Sequence, residues 1–184
     1  MRITVLDALG RTGEAQALRW SEFEHGLRAE PLRAYLKRLS DFADVEKEEE
    51  ALDLVAAHPD VQGALAFLTT WPDLRRAGAL VRARFDGIDG NCWWTLTPAA
   101  ERLENKEPLA ASLLYRRMID FTLDHGRSQR YGHASRHLLS CAALAPLVTD
   151  WQGHQPHAEY AAGLRQRHPR KSSFWSRVDV PARK

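Results

Sequence analysis

The most informative segment for the fold is residues 108–125, which read PLAASLLYRRMIDFTLDH. Pro108 stands at the first-turn position of a helix, where a missing backbone N–H costs nothing. On a helical wheel the apolar side chains cover an arc of about 220°, and the polar arc holds Arg116, Arg117 and Asp120. An apolar arc this wide needs neighbours on both sides. The pattern therefore predicts an inner helix of an all-α protein, with Arg116 and Asp120 paired on its exposed strip.

The rest of the chain also contains residues that mark where helices begin. Prolines recur where helices could begin, and two good N-capping residues, Asp60 and Thr97, lie near such starts. Alternation of β-branched residues occurs only at 3–5, which is too short to support a sheet. Between these marks the sequence predicts helices near 2–9, 14–28, 31–39, 44–57, 60–70, 72–85, 94–105, 108–125, 129–145, 156–168 and 171–178.

Small and apolar residues recur at the spacing of a helical repeat. One set is separated by 34, 28 and 33 residues: Leu18, Leu52, Leu80 and Leu113. A period near ~34 residues is that of tetratricopeptide repeats, although no segment meets their full consensus. We therefore predict an irregular, tetratricopeptide-like helical-repeat solenoid of about ten helices. It forms a single domain over 1–184, with a basic C-terminal capping segment at 146–184.

Composition excludes several classes of protein. The chain has 184 residues, of which 44% are hydrophobic and 27% charged, as in ordinary folded domains. No run approaches the ~18 apolar residues of a membrane helix, and Asp7 interrupts what would have to be a signal sequence. Cys92 and Cys141 match no CxxC pattern and fit a reducing compartment. We expect a cytoplasmic protein that has no membrane partner.

The net charge of +2 conceals an asymmetry along the chain. Residues 1–126 carry a net charge of −5, whereas residues 127–184 carry ten basic and three acidic residues, a net charge of +7. A basic end can bind a polyanion, but it can also be a solvated end without a partner. The cations that we take as candidate contacts to a partner protein or a nucleic acid are Arg130, Arg136, Arg165, Arg167, Arg170 and Lys171.

Aromatic residues are interleaved with the cations near the C-terminus. Phe174 and Trp175 closely follow Arg170 and Lys171, and Tyr160 comes earlier in the same region. Basic residues with aromatic neighbours can bind nucleic acid by phosphate contact and base stacking. The same aromatic residues could instead dock the last helices as the cap that a repeat array requires, and we favour the cap.

One series of histidine and cysteine residues has the spacing of metal ligands. His133, His137 and Cys141 recur at i, i+4 and i+8, which places three zinc-type ligands along one helix face. Cys141 also belongs to the apolar stripe of that helix, and Pro146 should end the helix soon afterwards. We favour a buried cysteine beside a hydrogen-bonded histidine, and we expect neither a metal nor another cofactor.

The segment 86–91, DGIDGN, interrupts the helices. Its acidic residues do not follow EF-hand spacing, and Thr97 stands where the twelfth-position Glu should be, so the segment is predicted to be a turn. Trp93 and Trp94 follow, and we expect them to cover the end of a packed layer rather than bind a ligand. The sequence contains neither a glycine-rich phosphate loop nor a nucleophile elbow.

Several motifs resemble those of a known family. They are RSQRYGHASRHL at 127–138, DWQGH at 150–154 and RKSSFW at 170–175, with PLAA at 108–111 and ALAFL at 64–68. Together they resemble a family of uncharacterised bacterial proteins known only as a domain of unknown function. The chain is similar, more weakly, to the helical C-terminal region of bacterial SWIM zinc-finger proteins, whose zinc-binding residues are missing here. The resemblance implies helical repeats in a bacterial cytoplasmic protein and implies no activity.

Three hypotheses for the function remain. The repeats and the lack of catalytic motifs favour a non-enzymatic scaffold that binds another protein. The alternative is a nucleic-acid-associated module that uses the basic C-terminal region. The third is a metal-dependent enzyme built around His133, His137 and Cys141.

Overall fold

The computed structural model describes residues 2–179, which form eleven α-helices and no β-strand. This confirms the all-α prediction, and each predicted helix has a counterpart. In chain order the helices are α1 (Arg2–Ala8), α2 (Thr12–Gly26), α3 (Ala29–Leu36), α4 (Ala43–Ala57), α5 (Val61–Thr70), α6 (Leu74–Ala83), α7 (Trp93–Leu103), α8 (Pro108–Asp124), α9 (Tyr131–Leu144), α10 (His157–Arg167) and α11 (Ser172–Val178).

Contacts divide the chain into two compact units. The first ends at Asp73 and contains α1 to α5, and the second begins at Leu74 and contains α6 to α11. In the first unit the main contacts join helices that are neighbours in sequence, whereas in the second unit α6 packs mainly against α8 and α11 packs against α9. The single domain over 1–184 and the likeness to tetratricopeptide repeats stay predictions. Among the described helices, none combines the length and the apolar character that a membrane span requires.

The first unit is held by apolar packing and by one buried cation. Phe23 of α2 and Leu32 of α3 are fully buried. Arg19 of α2 is also buried, and it pairs with Asp7 of α1. The contact joins α1 to α2, and removal of Asp7 would leave the buried guanidinium of Arg19 without this partner. Asp60 caps α5 as predicted, since its Oδ1 accepts hydrogen bonds from the backbone of residues 62 and 63 at 3.1 and 3.0 Å.

The second unit is built around α8. This helix begins at Pro108, as predicted, and packs against α6, α7 and α9, so most of its side chains are buried. The predicted exposed pair on it is wrong. Arg116 is 3% exposed and donates a hydrogen bond to the carbonyl of Gln155, while Asp120 accepts hydrogen bonds from Tyr160 and Arg167.

The predicted roles of Thr97 as a helix cap and of Trp93 and Trp94 as a cover for a packed layer are both wrong. Thr97 lies inside α7 rather than at its cap, and its hydroxyl contacts the sulfur of Met118 at 3.4 Å. Trp93 and Trp94, at the start of α7, are 50% and 58% exposed, so they do not cover a packed layer. The segment 86–91 is a turn, as predicted, in which Asp89 accepts a hydrogen bond from the backbone N–H of residue 91.

The C-terminal helices dock on the second unit through their aromatic residues. Phe174 and Trp175 of α11 are buried, and α11 packs against α9. The indole of Trp175 donates a hydrogen bond to the carbonyl of His168 at 2.8 Å. Phe174 and Trp175 are thus packed within the second unit, and their role as the cap of a repeat array stays a prediction. The predicted capping segment, 146–184, runs past the described residues, and its last five residues lie outside them.

Candidate functional site

A pocket of about 330 Å³ opens between α7, α8 and α9 in the second unit. We call it the Trp93 pocket. Its lining includes residues of these three helices and of the 3-10 turn Ser128–Arg130 that precedes α9: Trp93, Thr97, Met118, Arg130, His133 and His137. The pocket therefore unites one of the six candidate cations, Arg130, with two members of the histidine and cysteine series.

Trp93 forms an exposed aromatic wall at the mouth of this pocket. Its ring is 6.1 Å from that of Trp94 in an edge-to-face arrangement, with an interplanar angle of 81°. The turn at 86–91 delivers Trp93 to this position, because Gly90 packs directly against α8. Half-exposed tryptophans offer a large apolar area together with an N–H donor, and they are enriched among residues that dominate binding energies.

His137 supplies a neutral polar group on the floor of the pocket. Its ring stacks on Tyr115 with centroids 4.9 Å apart, and its Nδ1 has no hydrogen-bond partner among the described residues. Burial, with the nearby positive groups of His133 and Arg136, lowers the pKa of His137 to about 4. The imidazole is therefore uncharged at neutral pH, and its Nδ1 is shielded from solvent. The hydrogen bond that the sequence led us to expect is missing at Nδ1.

The rim of the pocket is positively charged. Arg130 is held in place by a hydrogen bond of 2.9 Å from its Nη1 to the side-chain oxygen of Asn91. Arg136, exposed on α9, contacts Nδ1 of His133 at 2.9 Å. None of the described residues that line the pocket carries a carboxylate. The local charge therefore favours a negatively charged ligand.

His133, His137 and Cys141 do not converge as a ligand set. His133 is exposed, whereas Cys141 is fully buried and its thiol donates a weak hydrogen bond to the carbonyl of Ser112 at 3.6 Å. Within residues 2–179 there is no group of three or more His, Cys, Asp or Glu side chains placed to hold a metal ion. Helical spacing alone put these residues on one face, but burial separates them.

We expect Cys141 to be inert to thiol reagents in the native protein. Burial raises the pKa of the Cys141 thiol to about 11, so the reactive thiolate is scarce at neutral pH. Labelling with a water-soluble disulfide reagent, followed by mass spectrometry, should modify the partly exposed Cys92 and leave Cys141 unlabelled until denaturant is added. Rapid native labelling of Cys141 would contradict the buried arrangement.

The remaining candidate cations lie in the C-terminal helices and the turn between them, and three of them contact other side chains of the protein. Arg165 stacks on the ring of Trp175 at 4.1 Å and pairs with Asp179 at 2.6 Å. Arg167 pairs with Asp120 at 3.1 Å, and the amine of Lys171 is 5.9 Å from the ring of Tyr131. Arg170 is exposed in the turn between α10 and α11. Nucleic-acid binding by these residues stays a prediction.

The sequence did not predict that the pocket residues lie together, and it did not predict that Arg116 is buried. It singled out Trp93, Arg130 and His137 separately, but nothing in their spacing joined them, and Met118 read only as an apolar position. The available signal was a pair of adjacent tryptophans directly after a glycine-containing turn.

Comparison with known proteins identifies a family and nothing closer. The model of a family described only as a family of unknown function, DUF6880, matches residues 1–177. No curated protein and no solved structure matches the chain. The match agrees with the resemblance to an uncharacterised family. The assignment of particular motifs to that family and the similarity to SWIM proteins stay predictions.

Proposed function

The chain belongs to DUF6880, a family of unknown function, and from its structure we propose that it is a non-enzymatic protein-interaction module. Its binding site is the Trp93 pocket, and its partner is an acidic segment of another protein that inserts an apolar side chain. The observation that carries this proposal is the half-exposed Trp93 at the mouth of a pocket with a positive rim. We expect it to act in the bacterial cytoplasm, as the sequence resemblance implies.

The shape and the lining of the pocket support an apolar anchor. Met118 and Ala134 are buried at its base, and Trp93 stands at its edge. A volume of about 330 Å³ suits one large side chain rather than a folded surface. In protein interfaces, a few such anchors that fill pockets supply most of the binding energy.

The rim supports an acidic sequence around that anchor. Arg130 lies in the lining and Arg136 lies on the next turn of α9, so carboxylates that flank the anchor would meet cations. Complementary charge of this kind raises association rates and selects among partners more than it raises affinity. The neutral imidazole of His137 can add a hydrogen bond to the peptide backbone at no charge cost.

The proposal is tested with fluorescent octapeptides that carry one Phe, Leu or Trp flanked by Asp and Glu. Wild type should bind a subset of them, and lysine-flanked versions should bind more weakly. Trp93→Ala should weaken binding about tenfold or more, because truncation of an interface aromatic often costs ~2 kcal/mol. Trp94→Ala is the matched control, since its ring is exposed but does not line the pocket.

Equal affinities for wild type and Trp93→Ala, or a preference for lysine-flanked peptides, would contradict the proposal. Single-stranded RNA is titrated in parallel at ~50 and ~200 mM salt to test the alternative function. If the affinity for RNA falls steeply with salt concentration and is unchanged in Trp93→Ala, the result would favour the nucleic-acid module. In that case, neutralising Arg165, Arg167, Arg170 and Lys171 together should abolish it.

A further inference from the structure

A second pocket adjoins the Trp93 pocket at the turn between α8 and α9. We call it the turn pocket. It has a volume of about 310 Å³, and its lining is the five consecutive residues 126–130. Gln129 and Arg130 line the Trp93 pocket as well. The two pockets therefore share a wall, and a chain bound in one of them can extend into the other.

The lining of the turn pocket consists of hydrogen-bond donors. Its four side chains are those of Arg127, Ser128, Gln129 and Arg130, and each of them carries an N–H or O–H group. The first three are exposed, so their polar groups are accessible to a ligand from solution. None of the described residues that line this pocket is an Asp or a Glu. Such a lining favours a ligand that is negatively charged and rich in acceptors.

A third cation reaches the turn pocket from a distant part of the chain. Lys171 precedes α11, and its Nζ lies 3.7 Å from the position that a Cβ at Gly126 would take. The carboxylate of Asp124, which is outside the pocket lining, contacts Nε2 of His168 at 3.0 Å. Arg127, Arg130 and Lys171 thus place three positive charges here against the one negative charge of Asp124. The excess of two positive charges matches a dianion.

The turn is held in shape before any ligand binds. Gly126 has a left-handed backbone with φ of 61°. The backbone N–H of Arg127 donates to the carbonyl of Thr122 at 2.9 Å, and that of Arg130 donates to the carbonyl of Arg127 at 2.8 Å. The side chain of Arg130 is fixed in turn by Asn91. A pocket that is already ordered loses little conformational entropy when a ligand binds.

We propose that the turn pocket binds the phosphate group of a phosphorylated side chain in the same peptide whose apolar anchor fills the Trp93 pocket. The inference rests on the proposed function and assigns its regulation, because phosphorylation of the partner then strengthens binding. A phosphomonoester carries nearly two negative charges and three acceptor oxygens at neutral pH, which fits the excess charge and the donors of this pocket. An Asp or Glu side chain supplies one charge and two oxygens.

The shared wall sets the spacing in the peptide. Two or three extended residues span about 7 to 10 Å, which is enough to lead from one pocket into its neighbour. A pocket with room for one phosphate group also favours a single phosphorylated side chain over the repeated phosphates of a nucleic acid, which need an extended basic groove.

The test uses fluorescent octapeptides with a Phe anchor and one variable position, two or three residues before or after it. That position carries Ser, Glu or phosphoserine. In wild type, phosphoserine at one of these positions should bind about tenfold or more tightly than Ser, because phosphate forms new charge-assisted hydrogen bonds. Glu should give a smaller gain. Arg127→Gln should remove most of the phosphoserine gain, whereas the matched control Arg75→Gln, at an exposed site on α6 outside both pockets, should retain it.

A second measurement reports on the turn pocket without the anchor. In ¹⁵N-labelled protein, phenyl phosphate should shift the backbone amide signals of residues 126–130 saturably in wild type and in Trp93→Ala, but not in Arg127→Gln. Benzoate, a monoanion with the same ring, should shift them less. If Trp93 fails to affect peptide binding, the proposed function fails, and amide shifts that require Arg127 still support a phosphate pocket.

Three results would overturn the inference and leave the peptide site intact. The first is equal binding of the Ser and phosphoserine peptides when both depend on Trp93. The second is the absence of a shift at residues 126–130 with phenyl phosphate. The third is an Arg127-dependent shift of these amides with single-stranded RNA but not with the phosphopeptide, which would assign the pocket to a nucleic-acid phosphate.

Discussion

Replacing Gly90 with Ala should lower the free energy of unfolding by about 3 kcal/mol. Gly90 is buried at the end of the turn before α7 and packs directly against α8. An added Cβ would overlap the carbonyl oxygen of Arg117, and it would lie 2.7 Å from the carbonyl carbon and 2.8 Å from Cβ of Phe121. Backbone cannot rotate away as a flexible side chain can, so the turn or α8 has to shift.

The matched control for this change is Gly163→Ala in α10. A Cβ at position 163 would meet no atom within 4 Å, and the site lies inside a helix. Alanine should therefore stabilise the protein there by up to about 1 kcal/mol, because it restricts the unfolded chain and favours the helix. Urea unfolding followed by circular dichroism measures both effects. Equal stabilities of the two variants would show that Gly90 is not closely packed.

Truncation of Phe174 or Trp175 to Ala should each lower the free energy of unfolding by about 3 kcal/mol or more. Phe174 is fully buried, and its ring lies 6.1 Å from that of Tyr131 in α9. Trp175 is 6% exposed, carries the stacked Arg165, and donates a hydrogen bond to the carbonyl of His168. Both changes remove a large ring from an enclosed site that cannot fully collapse.

Ser173→Ala, an exposed change in the same helix, should alter stability by less than about 0.5 kcal/mol. The two ring truncations should not add, because the centroids of Phe174 and Trp175 are 4.7 Å apart and the rings share one site. Thermal unfolding of the three single variants and the double variant tests this expectation. Losses below about 1 kcal/mol for both aromatic variants would mean that α11 is not part of the cooperative structure.

Both predicted losses affect helices that form the Trp93 pocket. Gly90 itself lines it and packs on α8, while Phe174 supports α9, which carries His133 and His137. Variants at these positions can therefore lose peptide binding through instability alone. For this reason the functional test rests on Trp93→Ala, whose exposed side chain contributes little to the fold.

The helices of residues 2–179 were predictable from local sequence, because helix formation depends on residues three and four positions apart and on capping at the ends. Pro108 at the start of α8 and Asp60 before α5 act on backbone atoms within one helical turn. Their effects could therefore be predicted without knowing which other helices pack nearby. The wide apolar arc of α8 likewise predicted an inner helix, since burial of apolar area follows from periodicity.

The positions of the polar residues of that helix depend on packing against distant parts of the chain. Arg116 read as a surface cation because a buried charge is costly, and the groups that compensate it come from far along the chain. Gln155 is 39 positions away and Tyr160 is 44 positions away, and no local pattern links them to α8. Trp93 was misjudged for the converse reason, since an apolar ring stays exposed when packing leaves it no neighbour. Local sequence determines which residues form a helix, whereas burial of a particular side chain depends on the partners that folding brings to it.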